Sequence, residues 1–381
     1  MKAIRLTLAA CIFGLTSLLP VHAETGVTDS TITLGMSVPL TGPASAHGQE
    51  IKNVVSAYFD QVNKAGGVNG KKLQLVALDD GYDAAKAVAN TKTLIETNKV
   101  FALIGYYGTA SITDSMNNVF GPAGVPMIGG ISGAMSIRQA PSANPNNKFM
   151  FNLRASYADE AEAIGTQLVT LGMKNIAVFY QNDGFGKAGL EGLTTALKKH
   201  NLAPVATGTV ERNSEDIAKA QEAIAKANPQ AVVMVTLFKQ SALMVKGLRK
   251  AGLGPMFMTL SPAGPEQLTQ ELGNDARGIG ISQVMPYPWN DTVAVVKDYQ
   301  RLIGKPTAPS YMGIEAFVMA KTATEAIRKL GKDLTREKLV ATLEGMNQDI
   351  GGYRVAFGPN NRAGSHFVEL TVLGANGKLM K

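Results

Sequence analysis

Apolar residues recur along this chain with two alternating periods. Residues 31–37 (TITLGMS) alternate as a half-buried strand does, and residues 49–64 follow with Ile51, Val54, Val55, Tyr58, Phe59 and Val62 spaced for one helix face. Ala65-Gly66-Gly67 stops that helix. The same reading predicts a strand over 72–78, a helix over 84–97 and a strand over 100–104. It then restarts, with strands over 174–180, 203–210, 231–236 and 256–260 and helices over 186–200, 214–227 and 238–251 between them. Strands that alternate with helices build a parallel sheet covered on both faces. Two such runs, each long enough for its own core, predict two α/β lobes.

The third strand runs into VFALIGYYGTASITDSMN, where an apolar stretch breaks at Gly105 and turns helical at Thr109. Ligands of open α/β sheets bind beyond the carboxyl ends of the strands, where loops enter helices. Glycines there let backbone approach a ligand, and the free N–H groups of a helix start favour an anion. Thr109 therefore has two readings: a ligand donor, or, like Ser111, a simple N-cap.

Composition narrows the classes. With 381 residues and 45% hydrophobic content the chain can bury two cores, and its charged fraction of 18% excludes a disordered polymer. Lys2 and Arg5, the apolar stretch 6–19 and Val21-His22-Ala23 form a secretory signal over 1–23, with cleavage after Ala23 and a periplasmic destination. That stretch is short of the roughly 20 residues a spanning helix needs. Leu8-Ala9-Ala10-Cys11 also resembles a lipoprotein box, although cutting there severs the apolar run. Loss of Lys2 and Arg5 lowers the formal charge from +7 to +5 and removes the single cysteine, so the remaining chain is held by its core without disulfides. No basic run interleaves with aromatics, which argues against nucleic acid as a partner.

Other motifs carry competing chemistry. Gly184-Phe185-Gly186-Lys187-Ala188-Gly189 is a G-x-G-x-x-G after a strand, with Glu211 at the end of the next, so a nicotinamide-dependent oxidoreductase is the rival function. Gln181, Asn182 and Asp183 separate the strand from the first glycine, which suits a helix-capping loop better. Asp79, Asp80 and Asp83 lack the alternating ligands of a calcium loop, and Asp83 reads as an N-cap. His47, His200 and His366 share no metal-ligand spacing, and no nucleophile elbow is present, so neither metal, cofactor nor catalytic residues are expected. Trp289 reads as packing beside a chain crossing; Arg154 is either a ligand cation or a structural ion-pair partner.

Taken in order, ITLGMSVPLTGPASAHGQE, VNKAGGVNGKKLQLVALDDGYD, ALIGYYGTASI, VPMIGG and AVFYQNDGFGKAG resemble the type I periplasmic binding proteins of the Leu/Ile/Val-binding family. The resemblance covers nearly the whole chain after residue 23. It implies two doubly wound lobes joined by three crossing strands, near 152–157, 282–288 and 352–364, with lobe 1 formed by 24–152 plus 286–352 and lobe 2 by 153–285 plus 353–381. It also implies a monomer that captures a small carboxylate and delivers it to the membrane permease of an ABC importer, or a sensing module built on the same device. The implied ligand set is His47, Tyr107, Gly108, Thr109, Ile131, Ser132, Gly133, Tyr157, Phe185 and Ser261. Thr109 holds the ligand carboxylate, His47 and Tyr107 line one side of the pocket, and Phe185 lines the other. Two positions depart from the family pattern: Gly133 stands where a second hydroxyl residue is common, and Ser261 stands near the acid that receives a ligand ammonium. Glu266 is the nearby acid that would replace it.

Overall fold

The computed structural model describes residues 24–380; the leader and lipoprotein readings of 1–23 lie outside them. The first run of elements is β1 (Thr31–Val38), α1 (Ser45–Lys64), β2 (Lys72–Asp79), α2 (Ala84–Lys92), β3 (Ala102–Tyr107), α3 (Thr109–Ser115), β4 (Met127–Ile131) and β5 (Met150–Phe151). The second comprises α4 (Tyr157–Thr170), β6 (Ile176–Gln181), α5 (Gly184–Lys198), β7 (Ala206–Val210), α6 (Ala218–Ala227), β8 (Ala231–Val235), α7 (Phe238–Lys250), β9 (Met256–Thr259), α8 (Pro265–Leu272) and β10 (Gly280–Gln283). The chain continues through α9 (Ala294–Ile303), α10 (Tyr311–Lys329), α11 (Arg336–Glu344), β11 (Asn347–Asp349), β12 (Arg354–Ala356), β13 (Glu369–Leu373) and β14 (Leu379–Met380).

Two large sheets organise most of these elements, while β11 and β12 pair antiparallel in a small sheet of their own. One is all parallel, in the order β2-β1-β3-β4-β5, and β3 and β4 are wholly buried, as expected where helices cover both faces. The other runs β14-β13-β10-β9-β8-β6-β7, parallel from β7 to β10, with β13 added antiparallel on β10. In the first sheet the winding reverses between β1 and β3, and in the second between β6 and β8. Both reversals place loop mouths where ligands bind. Two lobes, each doubly wound, result.

Several element edges move from the sequence reading. The predicted helix over 84–97 ends its α-helical part at Lys92 and continues as a π-turn over Thr93–Thr97. The helix predicted over 214–227 begins at Ala218, because Ser214 Oγ accepts from Asp216 N and Asp216 Oδ1 from Ala218 N, forming successive turns. Asp83 caps α2 through Lys86 N, while Asp79 and Asp80 accept backbone and hydroxyl hydrogens, including those of Gly81, Thr41, Tyr82 and Ser37.

The chain passes between the sheets at tightly bonded segments. Asn152 N donates to Arg362 O at 3.0 Å and Gly364 N to Asn152 O at 2.7 Å, while the Tyr353 hydroxyl donates to Leu153 O and lies 3.2 Å from Val284 O. Trp289 packs on Tyr287 and Tyr311 at ring separations of 5.0 and 6.2 Å and stays partly exposed. No helix among the described residues is long and apolar enough to cross a membrane.

Candidate functional site

Neighbouring strands β3 and β4 end side by side, and their carboxyl ends deliver two hydroxyls to one point. Gly108 N donates to Ile131 O at 3.1 Å, which sets the register, and Thr109 Oγ1 and Ser132 Oγ share a hydrogen bond of 2.8 Å. Thr109 is not a cap: Gly108 holds the N-cap position, no side chain caps α3, and Ser111 is drawn instead to an arginine of the other lobe. The Thr109 hydroxyl is thus free of helix duty. Gly108 has φ +98°, and a Cβ there would lie 2.7 Å from the Tyr82 ring, so only glycine fits.

Gly133 explains its own departure from the family pattern. A Cβ at this position would meet Tyr157 N at 2.5 Å and Tyr157 Cδ1 at 2.4 Å, so a hydroxylated residue is excluded by the start of α4. Tyr157 N donates to Gly133 O at 2.7 Å, and the Tyr157 ring packs on Phe185 at 5.1 Å. Burial raises the Tyr157 phenol above its ordinary value, against nearby Arg154 and a side-chain hydrogen bond with Thr109. Hydroxyls of Thr109, Ser132 and Tyr157 therefore cluster where the two lobes meet.

Phe185 is positioned by a cap. Asp183 Oδ1 accepts from Phe185 N and Gly186 N at the start of α5, and Glu211 accepts from Asn182. The glycine motif is thus a capped helix entry, as its spacing suggested.

His47 and Tyr107 do not form an open pocket wall. His47 is buried and spans the lobes, with Tyr107 at 2.9 Å on Nδ1, Gln267 Oε1 at 3.2 Å on Nε2, and the Phe238 ring at 5.4 Å. Gln267 Oε1 only accepts, so Nε2 carries the proton and Nδ1 accepts from the Tyr107 hydroxyl. Desolvation lowers the imidazole to about 4, so it is neutral.

Ser261 belongs to a buried ionic cluster. Its backbone N donates to Glu160 Oε2 at 2.8 Å and its hydroxyl accepts from Arg154, which also pairs with Glu160 at 3.2 Å and Glu315 at 3.6 Å. Ser282 adds a 2.6 Å bond to Glu160. Arg154 is accordingly an ion-pair partner, the second of its two readings. Burial pushes Glu315 up to about 7, against the pull of Arg154. Glu266 is half-buried in α8 beside Tyr311 and Glu50, and desolvation of its carboxyl pushes it to about 7 as well.

A groove of about 1000 Å³ opens from Thr109, Gly133, Tyr157 and Gly184 along α4 and α5. Thr109, Gly133 and Tyr157 line this groove, with Ser132 bonded to Thr109 and Phe185 packed on Tyr157, while His47 and Tyr107 form a second cluster and Ser261 a third. Sequence reasoning missed Tyr82, Glu160, Arg212, Phe238, Gln267 and Glu315. Arg212 had one sequence signal, its place just beyond a strand's carboxyl end.

Comparison with known proteins agrees with this architecture. A family model described as periplasmic binding protein matches residues 31–378. A substrate-binding periplasmic protein from Ralstonia solanacearum superposes with a TM-score of 0.85 at 31% identity, covering 92% of this chain and 99% of that one. A Leu/Ile/Val-binding protein homolog of Brucella abortus is 22% identical over 368 residues, 91% of this chain and 90% of its own. An amino acid binding protein of Pseudomonas aeruginosa is 24% identical over 248 residues, 65% of this chain; the match spans 64% of that relative's length, just under two thirds. With its two doubly wound lobes and a family match running almost end to end, this chain belongs to the periplasmic binding protein family, whose members bind solutes outside the cytoplasm.

Proposed function

We propose that this chain captures a small carboxylate between its lobes and hands it to the membrane permease of an ABC importer, acting as a monomer without cofactor, metal or chemical step. The observation that carries the reading is the hydroxyl pair of Thr109 and Ser132, 2.8 Å apart at adjacent strand ends and faced by Tyr157 from the other lobe. Hydroxyl and N–H donors around one point suit a carboxylate. The names of the Leu/Ile/Val-binding and amino acid binding relatives support a small acid as ligand.

An ammonium group is not required in this reading. The Ser261 position faces the Arg154 cation, and both carboxylates beside it, Glu160 and Glu315, are already engaged with that arginine. We assign lobe 1 to 24–152 plus 286–352 and lobe 2 to 153–285 plus 353–380, with closure turning about the segments near 152–157, 282–288 and 352–364.

Calorimetry of leucine and phenylalanine against their desamino acids tests the reading, with Thr109→Ala alongside. Desamino acids should bind, and Thr109→Ala should weaken them by about 1.5–3 kcal/mol, roughly 10- to 150-fold. Tight amino-acid binding with no binding of the desamino acids overturns the ammonium argument. Affinities untouched by Thr109→Ala overturn the carboxylate position.

A further inference from the structure

Arg212 stands just beyond β7 in one lobe, and its guanidinium reaches the other. Its plane stacks on the Tyr82 ring at 3.6 Å, Nε donates to Tyr82 O at 2.7 Å, and Nη2 donates to Ser111 Oγ at 3.3 Å. Nη1 pairs at 3.2 Å with Asp183 of its own lobe, which aims the fork. Gln181 Nε2, bonded to the same Asp183 at 2.6 Å, also donates to the Tyr82 hydroxyl at 3.2 Å. Tyr82 is therefore gripped at its carbonyl, its ring and its hydroxyl by residues of the opposite lobe.

The backbone of Tyr82 is shaped for this grip. It has φ +63°, a left-handed conformation that bulky residues avoid, and Asp80 Oδ1 holds its N–H at 2.8 Å. A tyrosine kept in a strained conformation where glycine would sit more easily points to a task for its side chain. None of these contacts involves a ligand, and all of those to Tyr82 and Ser111 are lost when the lobes part.

We infer that Arg212 and Tyr82 form a latch that stabilises the closed arrangement of the lobes. The protein then samples its closed form unaided, and a ligand has less work to do in bringing the lobes together. This concerns the ligand-free protein and is independent of which solute is bound.

Spin labels at the exposed positions of Lys86→Cys and Lys219→Cys, in a Cys11→Ser background of the full chain, report the lobe separation by double electron–electron resonance. Without ligand, the otherwise unaltered protein should show a distinct short-distance population. Arg212→Ala should move most of that population to a longer distance, and Arg212→Lys, which keeps the charge but loses the fork and the stack, should move part of it. Tyr82→Gly removes the ring while relieving the backbone, so it keeps the test open if an Arg212 variant fails to fold; it should also lengthen the distance. A long distance alone in the protein with Arg212 and Tyr82 intact overturns the latch, as does an unchanged short-distance population in folded Arg212→Ala or Tyr82→Gly, judged by circular dichroism.

Discussion

Replacing Arg154 with methionine removes the cation that stands between two buried glutamates, and the structure sets how much this should cost. Arg154 is 1% exposed and Glu160 0%, with 3.2 Å between charged atoms. At an effective dielectric near 20 such a pair attracts by roughly 5 kcal/mol, part of which is offset by desolvating the guanidinium. Proton uptake then caps the loss, because a stranded glutamate neutralises itself. With an ordinary value of 4.5 and 1.36 kcal/mol per pH unit, neutralisation costs about 3.4 kcal/mol at pH 7 and about 0.7 kcal/mol at pH 5. Glu160 is the nearer of the two partners, at 3.2 Å against 3.6 Å for Glu315, and loses the stronger contact. Urea unfolding of Arg154→Met should therefore show a loss of about 3 kcal/mol at pH 7 that shrinks below about 1 kcal/mol at pH 5. Adding Glu160→Gln should recover most of the loss at pH 7. An equal loss at both pH values, or a double variant no more stable than the single one, refutes the reasoning.

Gly133→Ser installs the hydroxyl common in the family but drives Cβ against the Tyr157 backbone; thermal unfolding should show a loss of about 1–3 kcal/mol, and calorimetry weaker rather than tighter ligand binding. His47 titrates near 4 when folded and 6.5 when unfolded, so the unfolded chain alone gains a proton between those values and stability falls as pH drops through that window. Relative to His47→Asn, the unaltered protein should lose about 3 kcal/mol between pH 7.5 and pH 4 in parallel urea titrations. Asp183→Ala removes the cap of α5 and a partner of Arg212; its melting curve should reveal a loss of about 1–2 kcal/mol.

The alternating periods along the chain were enough to place the parallel strands and their helices, because each period reflects local geometry and one-sided burial. Element edges were less legible. Ser214 and Asp216 fall inside the span predicted as helix but spend their side chains on turns, delaying α6 to Ala218. The strand-end position of Thr109 could be read from GYYGTAS, whereas its freedom from capping could not, since that depends on Ser132 being brought alongside by β4. Arg212 and Tyr82 stand 130 residues apart, and Arg154 and Ser261 stand 107 apart. No local pattern announces such partners. Gly133 reads in sequence as a missing hydroxyl and in three dimensions as the space that Tyr157 occupies.

The interleaving of the chain also governs how it can be made. Asn152 is bridged to Ala363 and bonded to Arg362 across 210 residues, and β10 acquires its outer neighbour only from residues 369–373. A nascent chain that has emerged as far as β10 has every helix of its second run available, yet lacks the strand that closes that sheet's edge and the segment that fastens the first crossing. Neither lobe can be finished in order of synthesis. Folding is therefore a late event of the whole polypeptide, slowed by contacts that are distant in sequence.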